Sequence, residues 1–203
     1  SINIAKDRMV FAGCNLMVLS VFNLKGKFKP LNILLPPVIV NTIGALNMQG
    51  DCKISYSENS ICFEYSNLIV KSLLFDEKYR DYMGIVPKDS PVKAMVSRVE
   101  LLGSLKRVLE FSNKEKRINI ESVNGILNII GEDTAYKQRA SESIGISGGN
   151  IDIGLNGAFL AESLTRLSSE SVEIAYTAFD KPILITEPGE SENFIMIMAA
   201  LKI

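Results

Sequence analysis

The sequence predicts an α+β protein made of a repeated strand, helix, strands unit, and three observations carry that prediction. Residues 33 to 65, "ILLPPVIVNTIGALNMQGDCKISYSENSICFEY", read in order as an apolar strand, a proline turn, an amphipathic helix, a Gly-Asp stop and two alternating strands around a Glu-Asn turn. Residues 151 to 185, "IDIGLNGAFLAESLTRLSSESVEIAYTAFDKPILI", repeat that order about 120 residues further on. Between them, residues 97 to 112 place Leu101, Leu102, Leu105, Val108 and Leu109 on one helical face, behind a strand-like run from Val92 to Val96.

The elements follow in chain order. "SINI" at 1 to 4 stands before a turn and an apolar strand, as "RINI" at 117 to 120 stands before Val123-Asn124-Gly125 and "ILNII". A helix from Val38 to Met48 follows the first proline turn. Strand-like Asn67 to Leu74 then leads into "FDEKYRDYMGIVP", residues 75 to 87, which holds three aromatics and five charges with no helical or strand period. Taken by itself, that connector is a linker whose rings cover the ends of neighbouring elements. In the second copy Asn156 caps a helix with the apolar stripe Phe159, Leu160, Leu164 and Leu167, and Ser168 to Glu170 end it. "SVEIAYT" and "PILIT" alternate as strands around the turn Phe179-Asp180-Lys181. A helix precedes "RINI" and nothing precedes "SINI", so the repeat places Ser1 about 25 residues inside its domain. The expected domains are residues 1–87, including the connector, and residues 88–203.

Composition removes several function classes. Of 203 residues 47% are hydrophobic and 22% charged, enough for one large domain or two smaller ones. The longest apolar candidate, "LNILLPPVIV", is interrupted by two prolines and falls short of the roughly 18 residues a membrane helix needs, so no membrane partner and a cytoplasmic location are expected. Cys14, Cys52 and Cys62 have no CxxC spacing and histidine is absent, which predicts no metal site, no disulfide framework and no cofactor; all three cysteines read as buried or half-buried. A net charge of −1 confines any attraction to nucleic acid to local clusters. Catalysis has little to stand on. The acidic pairs Asp76-Glu77 and Glu132-Asp133 sit in turns without a base or a phosphate loop, and "GISGGN" at 145 to 150 leads into a strand, the mark of a hairpin turn. An enzyme is not expected.

Four segments in order carry a family resemblance. The connector, Asp76-Glu77-Lys78-Tyr79-Arg80-Asp81-Tyr82-Met83-Gly84-Ile85-Val86-Pro87, resembles the pattern Asp-Gly-x-Phe-Pro-Asp-Tyr-x-x-Val-Ile-Pro between domains of the bacterial DNA polymerase III beta subunit, the DNA sliding clamp. "SRVELLGSLKRVLEFSNKEKR" resembles the first helix of that family's third domain, "ASESI" at 140 to 144 its Ala-x-Glu-x-Ile strand, and "IDIGLNGAFLAESL" its Ile-Gly-Phe-Asn-x-x-Tyr-Leu helix entry. The resemblance covers nearly the whole chain and is to the middle and C-terminal domains. It implies the clamp fold, with antiparallel sheets outside and helices on the inner face.

It also implies a site and partners. Three segments of the family converge on a hydrophobic groove for short linear peptides, here Gly13, Asn15, Leu16, Met17, Val18, Arg80, Gly84, Ile85, Ile197 and Ala199. This chain departs from the family there. Gly13 to Val18 stand for Thr-Asp-Gly-His-Arg-Leu, Arg80 for the connector proline, and Ala199-Ala200 for Met-Pro, which leaves a softer, more apolar surface. The implied function is a processivity factor that encircles duplex DNA without reading sequence and tethers a polymerase, with clamp-loader subunits sharing the groove and a homodimer at full length. Lys106, Arg107 and Arg166 lie off the apolar stripes and are the candidates to face DNA; each also fits a solvated helix face. The other reading is a clamp-like peptide-binding adaptor that does not encircle DNA.

Overall fold

A computed structural model describes residues 1–203 apart from 28–30, 47–49, 67, 78–80, 88, 190–192 and 202–203. The chain divides into two compact units, Ser1–Ala12 with Asn23–Tyr82, and Gly13–Phe22 with Met83–Ile203. The elements of the first half are strands β1 (Ile2–Ile4), β2 (Arg8–Cys14), β3 (Val18–Lys25) and β4 (Leu31–Ile33), helix α1 (Pro37–Leu46), and strands β5 (Lys53–Tyr56), β6 (Ser60–Tyr65) and β7 (Leu68–Leu73). After a 3-10 turn at Met83–Ile85 come β8 (Val92–Ser97), α2 (Arg98–Leu109), β9 (Arg117–Val123), β10 (Ile126–Asp133), β11 (Gln138–Gly148), β12 (Asp152–Asn156), α3 (Gly157–Leu164), β13 (Ser171–Tyr176), β14 (Ile183–Thr186) and β15 (Phe194–Met198). The α+β class and the strand, helix, strands order read from the sequence both hold.

In the first unit β1 pairs antiparallel with β2 and β4, while β5, β6 and β7 form a separate antiparallel sheet. Alternation aims one side of each strand inward, and Ile2, Ile4, Met9, Ile33, Ile61 and Phe63 form a core with Ile39 of α1. Pro37 opens α1, where its missing N–H costs nothing.

The second unit is larger. Its strands run in the order β12, β9, β10, β11, β8, β13, β14, β15 and then Val18–Phe22 of β3, each pairing antiparallel. Ser97 caps α2 by accepting from the Glu100 amide, and Asn156 caps α3 by accepting from Phe159, so both helices begin where a short polar side chain meets the first free amides. The two helices touch each other, and Leu101, Leu105, Val108, Leu160 and Leu164 are fully buried against the sheet.

Two turns show why particular residues are used. Val123 pairs with Ile126 across Asn124 (φ 53°) and Gly125 (φ 78°), the left-handed pair that a two-residue hairpin needs. "GISGGN" departs from expectation: β11 and β12 do not pair, so the segment crosses from β11 to β12, which lies beside β9, and is not a hairpin turn. Its glycines serve close approach instead. A Cβ on Gly148 would collide with the Lys93 carbonyl oxygen, and one on Gly149 would lie 2.6 Å from Val92 Cγ1, so β8 could not come this near.

Candidate functional site

The tip of the β2–β3 hairpin belongs to the second unit and is built by one asparagine. Asn15 Oδ1 accepts from the amides of Met17 (3.1 Å) and Val18 (2.8 Å), and the Asn15 amide donates to the Val18 carbonyl at 3.1 Å, closing a tight loop. Leu16 at the apex sits at φ 75° and is 94% exposed, a position that costs a leucine both backbone strain and unburied apolar surface. Below the apex the chain is fixed: Ala199 donates to the Met17 carbonyl at 2.8 Å, and Val18 stands opposite Met198.

This scaffold walls an apolar pocket of about 280 Å³. The hairpin supplies Cys14, Leu16, Met17, Val18 and Leu19, the 3-10 turn supplies Ile85, and the segment joining β13 to β14 supplies Asp180 and Pro182. Ile197 of β15 and the following Ala199 and Ala200 complete the lining. Of the residues the sequence singled out, Leu16, Met17, Val18, Ile85, Ile197 and Ala199 come together here. Gly13, Asn15 and Gly84 are not among the lining residues, Asn15 acting instead through its hydrogen bonds. Arg80 lies outside the described residues.

Sequence reasoning missed Leu19, Asp180 and Pro182, and it gave Cys14 the wrong environment. Cys14 is exposed, because it ends β2 where the chain lifts into the hairpin tip, while Cys52 and Cys62 are half-buried. The turn at Asp180 was visible as a turn, yet only the register of β14 on β15 brings it beside Ile197, and register is not written locally.

The three cations differ from one another. Arg107 is committed to β11, donating through Nε and Nη2 to the two carboxylate oxygens of Glu142, both at 2.8 Å. That fork raises the Arg107 guanidinium and holds the Glu142 carboxyl below its usual range. Lys106 is exposed on α2. Arg166, expected on a helix, lies in the turn after α3, which ends at Leu164 with Thr165 as its cap; it too is exposed.

A turn beyond Arg166 is held from two sides. Arg98, the first residue of α2, donates to the carbonyls of Ser169 (2.5 Å) and of Leu164 (3.2 Å), the last residue of α3, which places a cation at that helix's C-terminal end. From the other side, Glu187 Oε1 accepts from the amides of Ser168 (2.8 Å) and Ser169 (2.7 Å). Burial works to raise the Glu187 carboxyl, but the hydrogen bonds from Ser169 and Ser168 together outweigh it and hold the group below its ordinary value.

Comparison with known proteins places this geometry in a family. Curated beta sliding clamps of Rickettsia bellii and Borreliella burgdorferi are 26% and 24% identical to this chain over 164 and 170 residues, covering 75% and 81% of it and 43% of each relative. The crystal structure of a DNA polymerase sliding clamp from Pseudomonas aeruginosa superposes with a TM-score of 0.91 at 18% identity, over 100% of this chain and 57% of that one. The DNA polymerase III subunit beta of Borrelia burgdorferi gives 0.91 at 20%, over 100% and 55%. The chain thus spans about half the length of the relatives it matches. Residues 83–200 match the family described as the DNA polymerase III beta subunit, C-terminal domain, and the chain belongs to that family.

Proposed function

We propose that this chain is the middle and C-terminal portion of a sliding clamp: a non-catalytic, cytoplasmic processivity factor that encircles duplex DNA and tethers a replicative polymerase through the hairpin-tip groove. The observation that carries the reading is the apolar pocket of about 280 Å³ walled by Met17, Val18, Ile85, Ile197 and Ala199, in a chain of the beta-subunit family. Pockets of this character take short peptides by two or three apolar anchors. Contact with DNA falls to Lys106 and Arg166, since Arg107 is already paired with Glu142. Such contacts are to phosphate and indifferent to sequence. No helix among the described residues is long and apolar enough to cross a membrane.

Ring closure in a full-length homodimer is assigned to β11. From Gln138 to Gly145 that strand pairs with β10 on one side, and no strand lies along its other edge among the described residues. Such an edge is a ready surface for pairing with another chain. Phe111, 44% exposed, borders the hollow between the end of α2 and Ala140 of β11.

The test is a titration of labelled peptide bearing a glutamine followed by spaced leucines and a phenylalanine. Binding at about micromolar Kd is expected, and Met17→Asp should abolish it. Absence of binding to a folded chain would return the connector to a plain linker and favour a clamp-like relative with other partners. The charge reversals Lys106→Glu and Arg166→Glu should together weaken salt-sensitive retention on DNA without changing the melting temperature.

A further inference from the structure

Asp180 is the one charged side chain among the described residues lining the groove; the others are Cys14, Pro182 and eight aliphatic or thioether side chains. Its carboxylate stands half-exposed at the turn between β13 and β14, where Lys181 donates to the Ala178 carbonyl and holds the turn closed. The only ion pair it makes among the described residues is with Lys181 itself, at 3.8 Å, the outer limit for such a contact, with both side chains more than half exposed. A pair of that kind contributes little and yields readily to a competitor. Leu16 and Met17, which also line the pocket, bring no charge to balance it.

We propose that the groove selects peptides in which a lysine or arginine flanks the apolar anchors. This rests on the peptide-groove reading above and adds a sign to it. An arginine or lysine suits the site twice over. Its methylene stem lies along the apolar wall, and its head reaches the rim carboxylate in place of Lys181. A glutamate at the same place meets a like charge and finds no cation among the described lining residues.

Two labelled peptides with the same apolar core, one flanked by lysine and the other by glutamate, decide the matter against the full 203-residue chain. The lysine peptide is expected to bind about fivefold more tightly at low salt, with the gap shrinking at high salt as exposed charges are screened. Asp180→Asn should close the gap, and Lys181→Ala should widen it. Equal affinities, or tighter binding of the glutamate peptide, would overturn the proposal and leave the groove standing. If neither peptide binds a chain shown to be folded by circular dichroism, the groove reading fails and takes the proposal with it.

Discussion

The helix and strand of the second copy, α3 and β13, and their counterparts in the first, α1 and β5, share one sequence pattern and reach different degrees of burial. α3 fully buries Leu160 and Leu164, and β13 buries Val172 and Ile174 to 0% and 2% exposure. α1 buries only Ile39, leaving Val38 at 68% and Val40 at 53%, and β5 leaves Ile54 and Tyr56 exposed. The difference lies in what stands beside them. In the second unit β8 hydrogen-bonds to both β11 and β13, then turns into α2, which packs on α3. Among the described residues of the first unit no strand pairs the outer edge of β5 and no second helix accompanies α1. A strand-helix-strands unit carries apolar residues for two faces, and it covers only one by itself.

Truncating a buried side chain of the second unit and an exposed one of α1 gives the largest expected contrast. Leu164→Ala or Leu105→Ala should cost about 2–5 kcal/mol, because each removes a fully buried side chain and leaves a cavity. Val38→Ala should stay within about 0.5 kcal/mol, since that side chain is already in solvent. Urea unfolding followed by circular dichroism measures all three. A Val38→Ala cost equal to that of Leu164→Ala would mean that α1 is covered in solution, and the comparison would break.

An intermediate effect is expected at Arg98, which secures the end of α3 from the start of α2. Arg98→Ala should cost about 1.5–3 kcal/mol, the range for hydrogen bonds that involve a charged group. Arg98→Lys should recover only part of that, because an ammonium cannot span the Ser169 and Leu164 carbonyls as the guanidinium fork does. Full recovery by lysine would show that charge near the helix end matters and geometry does not.

What was legible in the sequence divides along the same line between local and distant causes. Asn156 announced the start of α3 because capping is decided within three residues, and the apolar stripe that placed the start of α2 at Ser97 landed on the residue that caps it. The ends were misplaced. The stripe through Leu167 suggested a longer α3, and Leu167 is indeed buried, but the helix stops at Leu164 where Arg98 and Glu187 take over the following turn from far along the chain. The helix expected to run to Ser112 stops at Leu109, with the Ser112 hydroxyl donating to the Leu109 carbonyl at 2.8 Å. Of the residues that line the pocket beside the hairpin tip, Leu16, Met17, Val18, Ile85, Ile197 and Ala199 had been named from resemblance, whereas Asp180 and Pro182 enter through sheet register. Arg107 looked like a free cation because Glu142, its partner, is 35 residues away on another element.

The smallest effect sharpens the comparison at the same turn and has a pH signature. Glu187 is held below its ordinary value of 4.5 by the Ser168 and Ser169 hydrogen bonds, so its carboxylate binds fewer protons folded than unfolded. A depressed folded value adds stability that is present above the unfolded value and lost as pH falls through the folded one. Glu187→Gln keeps an acceptor oxygen but not the charge, so at neutral pH it should cost on the order of 0.5–1 kcal/mol. That cost should hold from pH 7 down to about 5 and then shrink as acid protonates the native carboxylate. Thermal melts of both proteins across this window give the difference directly. A difference that stays constant into acid would assign the clamp to the shape of the side chain, and one that grows in acid would reverse the sign of the linkage. If the loss is real but local, hydrogen exchange should quicken at the amides of Ser168 and Ser169 before it does in α2.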